Sequence, residues 1–193
     1  MDHLRVAVLG DEKVGRESFG SQFAMGRIMD NYDAGDPTQL EERDPYRRKI
    51  TVDGKECFIS IVTHESIPPA NGDADAIVLM YSVTSRSSFE HLETHATAQK
   101  ARYPDAVVIL VGNRLDADQN PLDVTVEWRR RQVSTEEGEA AAQRLGYPFA
   151  ETSAKTGEGV HAVIEELVGV VRARRKKPEK KGKRRRSVHC LIM

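Results

Sequence analysis

Near the amino terminus, Gly10-Asp11-Glu12-Lys13-Val14-Gly15-Arg16-Glu17-Ser18 has the make-up of an anion cradle. Its two glycines let backbone N–H groups curl around one point. The apolar run Leu4 to Leu9 precedes it, and a helical pattern from Phe19 to about Met25 follows. Strand, glycine loop and helix form the context of a phosphate-binding loop, and a helix start adds a positive dipole end. The motif calls for Gly, four residues, Gly-Lys, then Ser or Thr. Arg16 and Glu17 fill the last two places here. Arg16 keeps the charge but carries it on a planar fork rather than a compact ammonium. Glu17 brings a carboxylate to the place where a small hydroxyl would hold Mg²⁺ beside phosphate. Gly10, Lys13, Val14, Gly15, Arg16, Glu17 and Ser18 are the candidate phosphate-side residues.

Two further stretches end strand patterns: Asn113-Arg114-Leu115-Asp116 and Glu151-Thr152-Ser153-Ala154-Lys155. In open α/β sheets, ligands bind at the carboxyl ends of the strands. Asn and Asp also favour turns, so Asn113 and Asp116 alone would equally suit an ordinary strand exit. A fourth signal is Cys190-Leu191-Ile192-Met193. A cysteine followed by two aliphatic residues and Met fits a prenylation box, and the Met favours farnesyl.

The elements that must position these residues follow from the pattern. Leu4 to Leu9 reads as a buried strand. Gly26 to about Pro45 is a long polar connection containing Asp36-Pro37-Thr38. Such connections are commonly functional or mobile. Tyr46 to Val52 and Glu56 to Val62 read as strands joined at Asp53-Gly54, a strong hairpin signal. Thr63 to Gly72 has no helical pattern. Ala76 to Val83 and Ala106 to Val111 are buried strands, with a helix from Phe89 to Tyr103 between them. Residues 117–132 form a polar insert with Asn120-Pro121 and the basic run Arg129-Arg130-Arg131. Ser134 and Glu137 fit a capping box opening a helix that ends near Gly146. Tyr147 to Ala150 is a last short strand, and Val160 to about Arg174 an amphipathic helix. Strands alternating with helices, plus one hairpin, predict a mostly parallel α/β sheet with one antiparallel edge strand. The reading is one domain over residues 1–174 and a disordered basic tail over 175–193.

Charge separates these two parts. The chain holds 29 Lys and Arg against 30 Asp and Glu. Residues 172–186 take 11 of the bases and one of the acids, leaving the rest with 18 bases against 29 acids, a net of −11. An acidic domain with a basic tail points to an anionic surface. No run of 18 apolar residues occurs and no apolar leader is expected at the amino terminus. Two cysteines, Cys57 in a strand pattern and Cys190, argue against a disulfide framework and for a reducing compartment. The run Lys183-Arg184-Arg185-Arg186 lies just before the prenylation box, as a two-signal anchor requires. A nuclear-localisation or nucleic-acid patch is the other use of such a run. No aromatics interleave it, so no nucleic-acid partner is expected.

Taken together, the loop, Asn113-Arg114-Leu115-Asp116, Ser153-Ala154-Lys155 and the terminal box resemble a Ras-type small GTPase over nearly the whole chain. The resemblance implies a three-layer P-loop G domain with a six-stranded sheet, GTP/GDP as ligand, and effector and exchange-factor proteins as partners. It implies that Asp116 accepts hydrogen bonds from the guanine N1–H and exocyclic amine. Ser153, Ala154 and Lys155 would form the turn whose backbone N–H meets the guanine carbonyl. Arg114 stands where the family has Lys, and its aliphatic stem could still cover a base face. Thr38 matches the family's Mg²⁺-ligating threonine, with an Asp-Pro turn as the other reading. The family's Asp-x-x-Gly run and its water-positioning glutamine are missing at Thr63-His64-Glu65-Ser66. Neither His64 nor Glu65 stands out from a solvated loop as a replacement base. Glu12 and Lys13 replace family glycines.

Two functional readings follow. One is a membrane-anchored, Ras-like GTP-binding protein in signal transduction with slow or absent hydrolysis and a damaged Mg²⁺ site. The other is a tethered interaction domain that binds no nucleotide. Glu17 and the missing aspartate favour the second; Asn113, Asp116 and Ser153-Ala154-Lys155 favour the first.

Overall fold

A computed structural model of the chain describes residues 2–28, 46–63, 74–119 and 130–176. Thr38, His64, Glu65, Ser66, the insert over 120–129, the run Lys183 to Arg186 and Cys190 lie outside them.

The strands are β1 (Asp2–Leu9), β2 (Tyr46–Val52), β3 (Lys55–Val62), β4 (Ala76–Ser82), β5 (Val107–Asn113) and β6 (Phe149–Thr152). The helices are α1 (Arg16–Met25), α2 (Arg86–Glu90), α3 (Leu92–Arg102), α4 (Thr135–Leu145) and α5 (Val160–Lys176). The six strands form one sheet in the order β2-β3-β1-β4-β5-β6. All pairs are parallel except β2 with β3. This is the expected architecture, with the antiparallel strand at the edge. Asp53 and Gly54 both take positive φ, 51° and 70°, the geometry that joins tightly twisted hairpin strands.

Both faces of the sheet are covered, which is why its central strands are apolar almost throughout. On one side Leu4, Val6 and Val8 of β1 pack with Phe19 and Phe23 of α1 and with Ile164 and Leu167 of α5. On the other, Leu79 and Tyr81 of β4 and Leu110 of β5 pack with Leu92 of α3 and with Ala141 and Ala142 of α4. The period of two in each strand sends alternate residues to these two cores. None of the helices among the described residues is long and apolar enough to cross a membrane.

The elements differ from the pattern mainly at their ends. α1 begins at Arg16, directly after Gly15, because backbone geometry rather than apolar spacing sets its start. β5 runs to Asn113, so Asn113 belongs to the sheet. β6 is displaced from Tyr147–Ala150 to Phe149–Thr152. The Tyr147 N–H closes the end of α4 on the Ala142 carbonyl, and the ladder instead pairs Gly112 with Glu151 and Asn113 with Thr152. The expected single helix from Phe89 to Tyr103 is two. It starts earlier, where the Ser85 side chain accepts from the Ser88 N–H, and it breaks at His91. α5 continues to Lys176, beyond its apolar stripe. Arg172, Arg174 and Arg175 pair with Asp2, Asp105 and Asp75, and cations suit a helix carboxyl end.

Candidate functional site

Three separate stretches meet at the carboxyl ends of β1, β5 and β6. The first is the loop between β1 and α1. Gly10 has φ 145°, and a Cβ there would sit 2.1 Å from the Met80 carbonyl oxygen of β4. Gly15 has φ 100°, and a Cβ there would sit 2.4 Å from the Asn113 amide nitrogen. Larger residues are excluded at both, so the backbone alone lines these turns. Lys13 also takes positive φ, 64°, a conformation side chains disfavour. Gly15 caps α1 without any side-chain hydrogen bond. The first N–H groups of α1 therefore face the loop with no side-chain cap, as an anion site requires.

Asn113 joins the second stretch to the first and third. Its side-chain nitrogen donates to the Val14 carbonyl at 2.8 Å. Its side-chain oxygen accepts from the Ala154 N–H at 3.0 Å and from the Thr152 hydroxyl at 3.2 Å. The residue is 2% exposed. Arg114, at φ 73°, donates from its guanidinium to the Lys13 carbonyl at 2.7 Å. Asp116 accepts from the Ser153 hydroxyl at 2.7 Å, and Lys155 Nζ lies 3.8 Å from its other oxygen. The Ser153 hydroxyl in turn accepts from the Thr156 N–H at 3.1 Å. An ionised carboxylate has about four lone-pair sites. One hydrogen bond and one loose ion pair leave Asp116 able to accept from further donors. A base edge offering two adjacent N–H donors suits it.

The other residues of the loop differ in exposure. Glu12, Lys13 and Glu17 are exposed, and Arg16 and Ser18 are half-buried. Two residues at the family's metal positions, Glu17 and Thr63, do not fit Mg²⁺. Glu17 supplies a carboxylate in the first turn of α1 where a hydroxyl is needed. Thr63, buried just after β3, supplies a hydroxyl where a carboxylate is needed. No cluster of three or more His, Cys, Asp or Glu suited to a metal ion occurs among the described residues.

Two supports of the site are not visible in the motifs. Arg131, read above as part of a basic run in a polar insert, points inward and binds both carboxylate oxygens of Glu151, at 2.7 and 3.1 Å. The Thr135 hydroxyl donates to the same carboxylate at 3.2 Å. This clamp fixes the chain two residues before Ser153. Asp11 is the other. Its oxygens lie 2.7 Å from His91 Nδ1 and 2.6 Å from His95 Nε2. Partial burial alone would raise the Asp11 carboxyl, but the hydrogen bonds from His95 and His91 outweigh it and hold the group below its ordinary range. The spacing of His91 and His95, one helical turn apart, was the available signal. It lacked a sequence neighbour because Asp11 is 80 residues away from His91.

Known proteins resemble the chain over most of its length. A protein-family model described as the Ras family matches residues 5–173. Protein ras-2 of Neurospora crassa is 29% identical over 199 residues, spanning 89% of this chain and 80% of that protein. Ras-like protein 1 of Saccharomyces cerevisiae is 31% identical over 177 residues, spanning 87% of this chain. The chain spans about half, 52%, of that yeast relative. Ras-related protein Rab-37 of Mus musculus is 32% identical over 183 residues, spanning 84% of this chain and 72% of the relative.

Proposed function

Since this chain belongs to the Ras family, we propose that it is a guanine-nucleotide-binding protein that hydrolyses GTP slowly or not at all and acts in signalling from a membrane surface. The observation that carries the nucleotide part is the pair of hydrogen bonds made by the Asn113 side chain, donated to the Val14 carbonyl and accepted from the Ala154 N–H. It ties the phosphate loop to the base loop. A bound guanine nucleotide would bring an anionic phosphate chain and a base edge with two adjacent donors. Asp116 would hold that edge, with Ser153 fixing the carboxylate from behind. Arg114, tethered to the Lys13 carbonyl, would lay its stem along the base. The α1 start and the loop N–H groups would face the phosphates, with Arg16 adding positive charge and Glu17 opposing it.

Slow hydrolysis rests on residue chemistry. In the family scheme a glutamine orients the attacking water and a partner arginine completes the site. This sequence has no glutamine in the Thr63-His64-Glu65-Ser66 stretch, and two of the metal positions do not fit. Switching would then depend on exchange, expression or partners. The membrane part rests on Cys190 and the basic run, which together meet the need for two anchoring signals. Exposed Glu17 favours the alternative of a tethered interaction domain that binds no nucleotide.

A competition assay decides between these readings. Fluorescent GDP should bind, and GDP should displace it far better than ADP. Asp116→Ala should erase that preference, because each buried group left unpaired costs about 1–3 kcal/mol, roughly five- to 150-fold. No binding, or unaltered selectivity in Asp116→Ala, contradicts the proposal.

A further inference from the structure

We propose that Asp11, His91 and His95 form an acid-strengthened latch that holds the phosphate loop against the α2–α3 junction and tightens the loop's grip on anionic ligand as pH falls through the histidine range. The tuning of ligand rests on the nucleotide reading above; the latch itself does not.

The geometry is specific. One carboxylate uses both oxygens, one for each ring, at distances typical of charge-assisted bonds. Asp11 is ionised and accepts only, so each ring nitrogen facing it must carry the proton. A neutral imidazole can donate in this way, so the contact exists at high pH. Protonating a ring converts the bond into an ion pair, roughly doubling its strength. Histidine is the side chain whose ordinary titration falls between pH 5 and 8. His95 and Asp11 are each about three-quarters buried, which limits screening, while His91 is mostly exposed.

The latch grips the loop at a different point from Asn113 and Arg114. Those residues hold the carbonyls of Val14 and Lys13; Asp11 holds the loop's entry just after Gly10. Loosening one of these points frees the backbone whose N–H groups would meet phosphate. Charge acts in the same direction. From Gly10 to Ser18 the loop carries three acids, Asp11, Glu12 and Glu17, against two bases, Lys13 and Arg16. One added proton on the histidine pair neutralises that excess beside the anion site.

Other charged groups lie on the elements around the latch. On the α2–α3 side these are Arg86, Glu90 and Glu93, of which Arg86 pairs with Glu137 and Glu93 with Arg144. On the loop side they are Glu12, Lys13, Arg16 and Glu17, and from β5 Arg114. The charges acting on Asp11 itself are those of His91 and His95. Two imidazolium rings facing one carboxylate repel, so a single proton carries most of the effect. Below the carboxylate range the latch fails. The Asp11 carboxyl is held low when folded, so its contribution is present above its unfolded value, about 3.9, and is lost as pH falls through the folded one.

The test uses the full chain at pH 5.8 and 8.0. Hydrogen exchange of the Gly10–Gly15 amides, corrected for intrinsic rates, reads the latch whether or not nucleotide binds. Dissociation of fluorescent GDP reads its effect on ligand. Wild type should gain about fivefold in loop protection on acidification, the scale of a partly exposed ion pair. GDP release should slow in parallel. His91→Gln with His95→Gln, and separately Asp11→Asn, should show neither pH response. Should the double variant not fold, His95→Gln alone should lose most of the response. A fivefold gain in protection without GDP binding supports the latch and counts against the nucleotide reading instead. The same pH slope in the histidine variants, or a flat wild type, overturns the latch.

Discussion

Asn113 and Val14 are separated by 99 residues of chain and joined by a 2.8 Å hydrogen bond from side-chain amide to backbone carbonyl. The same amide group takes the Ala154 N–H on its oxygen. One buried side chain therefore fastens all three stretches of the candidate site to one another.

Asn113→Ala should show this in stability and binding together. It leaves the Val14 carbonyl and the Ala154 N–H without their buried partner, at about 1–3 kcal/mol each. Urea unfolding should fall by about 2–4 kcal/mol, less if water enters. Nucleotide should be lost even in buffer where the variant remains folded. A variant with unaltered stability would show that the bridge is not formed in solution.

Much of this architecture is legible in the residues alone, and the reasons are physical. Buried parallel strands need continuous apolar runs, so β1, β4 and β5 stand out. Asp53-Gly54 needs positive φ twice, and the hairpin follows. What is hidden depends on partners distant in sequence. The shift of β6 to Phe149–Thr152 is set by its register with β5 and by the closing of α4, neither of which has a local pattern. The inward turn of Arg131 depends on Glu151, twenty residues on. A run of three arginines reads as a solvated face unless that partner is known. The break at His91 likewise coincides with a contact to Asp11, at the far end of the domain's sequence. The candidate site shows the same division. Its residue types announce themselves at strand ends, while the bonds that assemble them do not.

The mismatch at the metal positions should appear in release kinetics. With Glu17 in place of a hydroxyl and Thr63 in place of a carboxylate, chelating Mg²⁺ should change GDP dissociation only slightly. Glu17→Ser should tighten binding by removing a like charge beside the phosphates. Strong acceleration on chelation, or no response to Glu17→Ser, would contradict the assignment of Glu17 to the phosphate side.

The start of α4 should make stability depend on acid. Ser134 and Glu137 form a reciprocal capping box, and Arg86 binds the Glu137 carboxylate from α2. Hydrogen bonds from Arg86 first, then from the Ser134 N–H, bring the Glu137 carboxyl down to about 2. A carboxyl depressed on folding stabilises above its unfolded range and loses that contribution as pH falls through its folded value. The difference in melting temperature between wild type and Glu137→Gln should thus be present at pH 7 and shrink between about pH 5 and 2. Ser134→Ala should cost about 1 kcal/mol at neutral pH. A pH-independent gap would rule out the ionised cap.

The tail should need both of its signals. Arg172, Arg174 and Arg175 are engaged by Asp2, Asp105 and Asp75, so the run available to a surface starts beyond them. Each Lys or Arg reaching an anionic surface contributes about 1 kcal/mol. Replacing Lys183, Arg184, Arg185 and Arg186 by Gln should weaken vesicle binding by about a thousandfold. Cys190→Ser should release the protein to the cytosol. Wild-type binding should weaken with salt and favour anionic over neutral vesicles. Retention of either variant on membranes would defeat the two-signal account.

The most direct test of the central claim is to identify what the protein carries when it is purified from cells without denaturation. Extraction and mass analysis of the bound small molecule should yield GDP or GTP in near-equal proportion to protein, with GTP prominent if hydrolysis is slow. Protein that emerges folded and carrying no guanine nucleotide, and that takes up none when GDP is supplied, would contradict the account and leave the tethered interaction domain in its place.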